Sequence, residues 1–201
     1  MQYTDTKTAR IHARRDQIVK AARLCFRRSG FHGAGMAEIA KHAQLSVGQV
    51  YRYFENKDAI IEEIVSRIVN NKLQLLTQTG DHTPRMIQKL STRIMPESDD
   101  TREDDQALML EVTAEATRSP RVAAILQEAD SRLFQQASTL LQQRYPQLTP
   151  PQIAARVELM AVLSEGTTFR SVAPLKASPE ELRQLYQHIF NHVFPETTTN
   201  D

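Results

Sequence analysis

The chain of 201 residues has no tryptophan, one cysteine and six glycines. A single thiol, Cys25, excludes an internal disulfide and any multi-cysteine zinc site. It shares the apolar face of a helix pattern with Ile18, Ala22 and Phe26, so it reads as a buried thiol and not a redox sensor. No apolar run approaches the ~20 residues that a membrane span needs. The opening MQYTDTKTARIHARR lacks the apolar core of a secretion signal, and a cytoplasmic protein without a membrane partner is expected. The glycines do not gather into a phosphate loop, no stretch alternates like the strands of a nucleotide fold, and no nucleophile elbow is present. Neither catalytic residues nor a cofactor are expected.

What the chain does have is a segregation of charge. Residues 1–57 hold eleven Lys or Arg against four Asp or Glu, a net +7, whereas the remainder holds fourteen against twenty, a net −6. Only the first stretch favours a polyanion. Within it, Met36 to Lys57 reads as two short helices joined by a tight turn at Gln44-Leu45. Ile39, Ala40, Ala43, Leu45, Val50 and Phe54 recur at spacings that bury one small face, leaving Ser46, Gln49, Tyr51, Arg52, Tyr53 and Lys57 outward. Ser46 suits the N-cap of a helix beginning at Val47. The pattern is a helix-turn-helix, whose second helix fits a DNA major groove. Val47, Gly48 and Gln49 occupy the turn that reaches base edges. The Gln49 amide can pair bidentately with adenine, Val47 can pack on a thymine methyl, and bare Gly48 permits close approach. Tyr51 and Tyr53 carry hydroxyls for phosphates or bases, the rival role being that of partly buried aromatics. Arg52 supplies charge to the flank and Lys57 a backbone contact.

These residues also carry a family resemblance. The series Ile18, Ala21, Ala22, Phe26, Gly30-Phe31, Met36, Ile39-Ala40, Ala43, Val47-Gly48, Tyr51-Arg52-Tyr53-Phe54 and Asn56-Lys57-Asp58 resembles the amino-terminal domain of the TetR family of bacterial regulators, over about the first quarter of the chain. Two positions depart from the usual pattern. Ala34-Gly35 stands where Thr or Ser is common, although a Gly35 N-cap leaves backbone N–H groups for a phosphate. Gln44 stands where Gly is usual, at a cost of roughly 1 kcal/mol if its φ is positive. The resemblance implies a dimeric, ligand-responsive regulator that binds double-stranded DNA, in which the positions of Tyr51, Tyr53 and Lys57 hold phosphates. It also implies a small-molecule effector in the body and pairing of the last two helices with those of a second copy.

The expected architecture is all-α, with a DNA-binding domain over 1–57 and a helical regulatory and dimerisation domain over 58–201. Residues 1–10 lack periodicity and read as a loose arm, whose Lys7, Arg10 and Arg14 either reach DNA or do little. A helix from Ile11 to Ser29 should stop at Gly30. Ile60, Ile61, Ile64, Val65, Ile68 and Val69 predict a connecting helix to about Leu76, ended by Gly80. Thr83-Pro84 opens a helix carrying Ile87, Leu90 and Ile94. The acidic run from Pro96 to Asp105 lacks the Gly and spaced ligands of a calcium loop and reads as a solvated loop. Further helices should span about 106–117, from Ser119-Pro120 to Pro146, from Thr149-Pro150 to Val172, and from Ser178-Pro179 onward.

On the last two helices, Ala154, Ala161 and Ser164 allow close approach, and Leu182, Leu185, Tyr186, Ile189 and Phe190 are very apolar for a helix facing water. They are the candidate dimer interface, the alternative being a single internal core. Met109, Glu111, Glu115, Phe134, Met160 and Phe169 are candidate ligand-pocket residues. The two glutamates either form a surface charge network with Arg118 or, as resemblance to efflux-controlling members of the family implies, one of them faces an internal cavity and attracts a cationic ligand. His188 and His192 have metal-binding spacing but no accompanying acid pattern, so no metal is expected. A helical-bundle enzyme, or a binding dimer without DNA contact, are the competing classes.

Overall fold

The structure, a computed structural model, describes the backbone of residues 2–77, 83–93 and 100–194, and the side chains of 8–77, 83–93 and 105–194. Every regular element among the described residues is helical: α1 (Gln2–Gly33), α2 (Met36–His42), α3 (Val47–Tyr51), α4 (Lys57–Thr77), α5 (Thr83–Thr92), α6 (Asp100–Ala116), α7 (Pro120–Arg144), α8 (Pro150–Phe169), a 3-10 turn (Arg170–Val172) and α9 (Pro179–Val193). No described helix is long and apolar enough to cross a membrane.

Two compact units form, one from Met1–Asn70 with Thr101–Ala129, the other from Asn71–Asp100 with Asp130–Asp201. Residues buried in the first unit come from six helices: Ile18, Ala22, Cys25 and Phe26 of α1, Ile39 of α2, Val50 of α3, Ile60, Ile61 and Ile64 of α4, Leu108 and Val112 of α6, and Val122 of α7. Where a helix contributes several, spacings of one, three or four residues put them on one side of it. Within the second unit, Ile87 and Leu90 of α5 cluster with Phe190 of α9, flanked by Met86, Met160, Leu163 and Tyr186. A neighbouring cluster joins Tyr145, Leu148, Ile153 and Val157 to Phe134, Ala137 and Leu141. Phe194 packs on both.

Two expectations about helix limits need correction. The loose arm is helical, since α1 begins at Gln2; no Gly or Pro interrupts the chain before Ile11, and Ala9 and Arg10 are good helix formers. The acidic run is likewise helical from Asp100, its 96–99 portion lying outside the described residues along with Ile94 and Gly80. Acids are favoured in a first helical turn, where they meet the positive end of the peptide dipoles. Asp105 goes further and accepts from Arg23 of α1.

Gly30 sits at φ 66°, ψ 176° and kinks α1 near its end, the left-handed backbone that glycine adopts without strain. Gln44 takes the same region at φ 54° without that freedom. Gln44→Gly is therefore expected to stabilise the first unit by roughly 1 kcal/mol, read as a rise in the urea midpoint. An unchanged or lower midpoint would mean that the side chain makes a compensating interaction.

Candidate nucleic-acid interface

Sequence sets the reading helix by a reciprocal cap. Ser46 Oγ accepts from the Gln49 N–H at 3.2 Å, and Gln49 Oε1 accepts from the Ser46 N–H at 2.8 Å. This capping box was legible as Ser46-x-x-Gln49, although only the Ser46 half was expected. It gives Gln49 a second duty. An amide oxygen has two lone pairs, so Oε1 can keep Ser46 while it accepts from adenine N6 and Nε2 donates to N7. The cap thus orients the amide expected to face a base edge.

The helix presents its expected face. Val50 and Phe54 are buried, whereas Ser46, Val47, Gly48, Gln49, Tyr51 and Arg52 are exposed, Tyr51 by half its surface. Tyr53 is half-buried. Gly35, the N-cap of α2, is exposed, makes no side-chain cap and has open space where a Cβ would stand. Lys57, at the start of α4, donates from Nζ to the Phe31 carbonyl. An ammonium has three donors, so that bond fixes the group's place and leaves capacity for a phosphate.

Part of the positive charge is structural. Arg15 of α1 donates from Nη1 to the Tyr53 carbonyl at 3.0 Å, from Nη2 to Glu63 of α4, and lies 4.3 Å from the centre of the Phe54 ring. Gln17 donates to the Ala43 carbonyl at 2.6 Å, holding the turn. Arg67 bridges Glu63 at 2.8 Å and Asp16 at 2.6 Å. Burial pushes the Glu63 carboxyl up, but the hydrogen bonds from Arg15 and Arg67 together outweigh it and hold the group below its ordinary value. Arg15 is thus a clamp between α1, the turn that follows α3, and α4, a role that its sequence neighbours do not announce.

The candidate pocket residues divide. Glu115 returns to the face of Leu108 after two turns and is 8% exposed, but its carboxylate meets Arg118 Nη2 at 3.0 Å and His32 Nδ1 at 3.6 Å. Its charge is answered by protein, as in the charge-network reading. Glu111 is exposed and Met109 half-buried. Phe134 and Met160 pack in separate clusters. Phe169 corrects the expectation most clearly: at 68% exposed it faces outward, because twelve residues after buried Val157 a helix has turned by about 120°. Phe134 does line a cleft of about 630 Å³ between α7 and α8, shared with Gln142, Ile153 and Ala154. Ser138 also lines it, and its Oγ is buried without a hydrogen-bond partner.

Among the candidate interface residues, Leu185 is 54% exposed, and Ala154, Ala161, Ser164, Leu182, Tyr186 and Ile189 are half-buried. Phe190 is 3% exposed between Ile87 and Leu90, so its surface is spent within the chain, as the internal-core alternative holds for that residue. Val162, Phe169 and Val172, 57%, 68% and 82% exposed, extend the apolar face beyond the expected set. Ser164 accepts from Lys89 Nζ at 2.9 Å. Burial, and then repulsion from Lys72, push the Lys89 ammonium down to about 8.

One cluster escaped the sequence reading altogether. Cys25 Sγ, a Glu38 carboxylate oxygen and a ring nitrogen of His42 lie within 4.8 Å of one another where α2 packs on α1. Burial, and then the Glu38 charge, push the Cys25 thiol up. Glu38 and His42 are four residues apart, a visible signal, but Cys25 joins them only through packing.

Comparison with known proteins agrees with the geometry. Residues 18–64 match the family model described as "Bacterial regulatory proteins, tetR family", and residues 85–195 match that for "BetI-type transcriptional repressor, C-terminal". The chain is 32% identical over 114 residues to the HTH-type transcriptional regulator UidR of Escherichia coli K12, covering 56% of each protein. It is 27% identical over 128 residues to the HTH-type transcriptional regulator BetI of Pectobacterium carotovorum, covering 60% of this chain and 64% of that one. The aligned part thus spans about 56% of the length of UidR. Salmonella enterica GusR shares the fold, with a TM-score of 0.73 at 21% identity over 90% of this chain and 95% of that one. With its helix-turn-helix, its capped reading helix and a second family match over more than half its length, this chain belongs to the TetR family of bacterial transcriptional regulators.

Proposed function

We propose that the protein is a cytoplasmic, ligand-released repressor that binds a palindromic operator as a homodimer. The division of labour is that of 1–57 for DNA and 58–201 for regulation and pairing. The observation that carries the reading is the capped α3, exposing Val47, Gly48, Gln49, Tyr51 and Arg52 over buried Val50 and Phe54 in a net-positive segment. Repression is supported by the description of the carboxy-terminal family match. Two reading helices about one turn of B-DNA apart, ~34 Å, enter successive major grooves on one side of the duplex. Pairing through α8 and α9 covers the exposed Val162, Phe169, Val172 and Leu185. The effector binds in the body, where the α7/α8 cleft offers the Phe134 ring and the unpartnered Ser138 hydroxyl. An effector that favours the non-binding spacing by ~3 kcal/mol lowers operator affinity over a hundredfold.

Selection of bound fragments from random duplex DNA tests this reading and supplies the operator. On that operator, Gln49→Ala is expected to relax preference at one A·T pair by ~1 to 3 kcal/mol. Lys57→Ala should weaken all sequences alike and lower the slope of log affinity against log salt by about one. Both variants are compared at matched helicity, because Gln49 also caps α3 and Lys57 also holds Phe31. Unaltered base preference in Gln49→Ala would show that a different register of α3 reads the DNA. A wild-type chain that ignores every duplex at low salt would remove the reading altogether.

A further inference from the structure

We propose that Cys25, Glu38 and His42 form a binding site for one divalent transition-metal ion of the zinc class, which staples α2 to α1 beneath the helix-turn-helix. The donors are one sulfur, one carboxylate oxygen and one imidazole nitrogen, all within 4.8 Å of one another. A tetrahedral zinc with a Zn–S bond of about 2.3 Å and a Zn–N bond of about 2.0 Å sets S and N about 3.5 Å apart. Side-chain rotation alone closes the difference, because Glu38 is half-exposed and His42 exposed, whereas Cys25 is fixed at 1% exposure. Among the described residues, neither Glu38 nor His42 makes a side-chain hydrogen bond or ion pair that metal binding would have to break.

A thiolate beside a carboxylate is repulsive on its own and favourable once a dication lies between them. Binding breaks the S–H bond and forms the S–metal bond, the proton leaving to solvent. Mixed sulfur, nitrogen and oxygen donors suit zinc rather than magnesium or calcium, which take oxygen alone. Three protein ligands leave the fourth position to water on the exposed His42 side. The two halves of the site are separated in sequence, with Glu38 and His42 at i and i+4 on α2 and Cys25 on α1, so the ion adds a tie between elements held by packing and by the Gln17–Ala43 hydrogen bond.

The test uses the full-length, reduced protein titrated with Co2+ as a spectroscopic stand-in. The expected result is a near-ultraviolet thiolate-to-Co2+ charge-transfer band that saturates at one ion per chain and is bleached by Zn2+. Cys25 is the only cysteine, so that band can arise nowhere else in the chain. Cys25→Ser removes it. His42→Ala, at an exposed position, weakens Zn2+ and Co2+ by more than about tenfold, and Glu38→Gln weakens them in the same direction. Added Zn2+ raises Tm in the wild type and not in His42→Ala. The proposal is overturned if no charge-transfer band forms, or if His42→Ala and Glu38→Gln bind as tightly as wild type. It is also overturned if bound Zn2+ is instead lost in His188→Ala, which would place the ion on the α9 histidine pair, whose rings lie 5.2 Å apart.

Discussion

Phe26→Ala is expected to destabilise the first unit by about 4 kcal/mol. The ring is fully buried and packs against Phe31, with centroids 4.5 Å apart. Truncation loses the transfer free energy of the ring and leaves a cavity that its surroundings fill only in part, because interiors are close-packed. Offset aromatic pairs add roughly 0.5–1.5 kcal/mol of their own. The loss rivals the whole stability of a small domain, so operator binding should fail together with the unfolding midpoint. Leu24, two residues earlier and 52% exposed, is the control, and Leu24→Ala should shift the midpoint little. Urea unfolding monitored by circular dichroism decides the matter. A loss below about 1 kcal/mol for Phe26→Ala would contradict the close packing of α1 described above.

Lys89→Met is the second large effect, and its sign is opposite. The Lys89 ammonium is half-buried, and burial, followed by the charge of Lys72, brings it from 10.5 to about 8 in the folded chain. Below pH 8 both states carry the proton, and the folded state bears a constant penalty of about 3 kcal/mol. Between pH 8 and 10.5 the unfolded chain binds more protons than the folded one, so this group makes stability rise with pH there. Replacing Nζ by an apolar end removes the penalty but gives up the bond to Ser164, worth about 1 kcal/mol. Lys89→Met should therefore be about 2 kcal/mol more stable at pH 7. The difference from wild type should shrink as pH approaches 10.5. Denaturant midpoints across that range measure it, and a variant less stable than wild type at pH 7 would show that the ammonium is better solvated than its burial implies.

Most of the helical plan was written locally. Ser46 and Gln49 cap α3, Thr149-Pro150 and Ser178-Pro179 open α8 and α9, and the spacing from Ile60 to Val69 marks α4, because caps and apolar periodicity act within one or two turns. The exposed set on α3 was legible for the same reason. Its buried partners Val50 and Phe54 lie in the same short segment.

The reach of α1 and α6 exceeds what the sequence pattern implies, since low apolar periodicity in 1–10 and an excess of acid in 96–105 argue against burial and not against helix. The charge on Arg15 reads the same whether it faces a phosphate or, as found, Glu63 on a helix 48 residues away. Which acids face a distant partner, as Glu115 does His32 of α1, likewise depends on contacts that no window of sequence contains. Phe190 and Phe169 are equally apolar, yet one is core and the other surface. Sequence by itself determined most of the helices, the exposed face of α3 and the segregation of charge, all properties of near neighbours along the chain. Tertiary structure alone decided which cations serve as clamps, which apolar side chains stay outside, and that Cys25 meets Glu38 and His42, because those outcomes are set by the packing of segments distant in sequence.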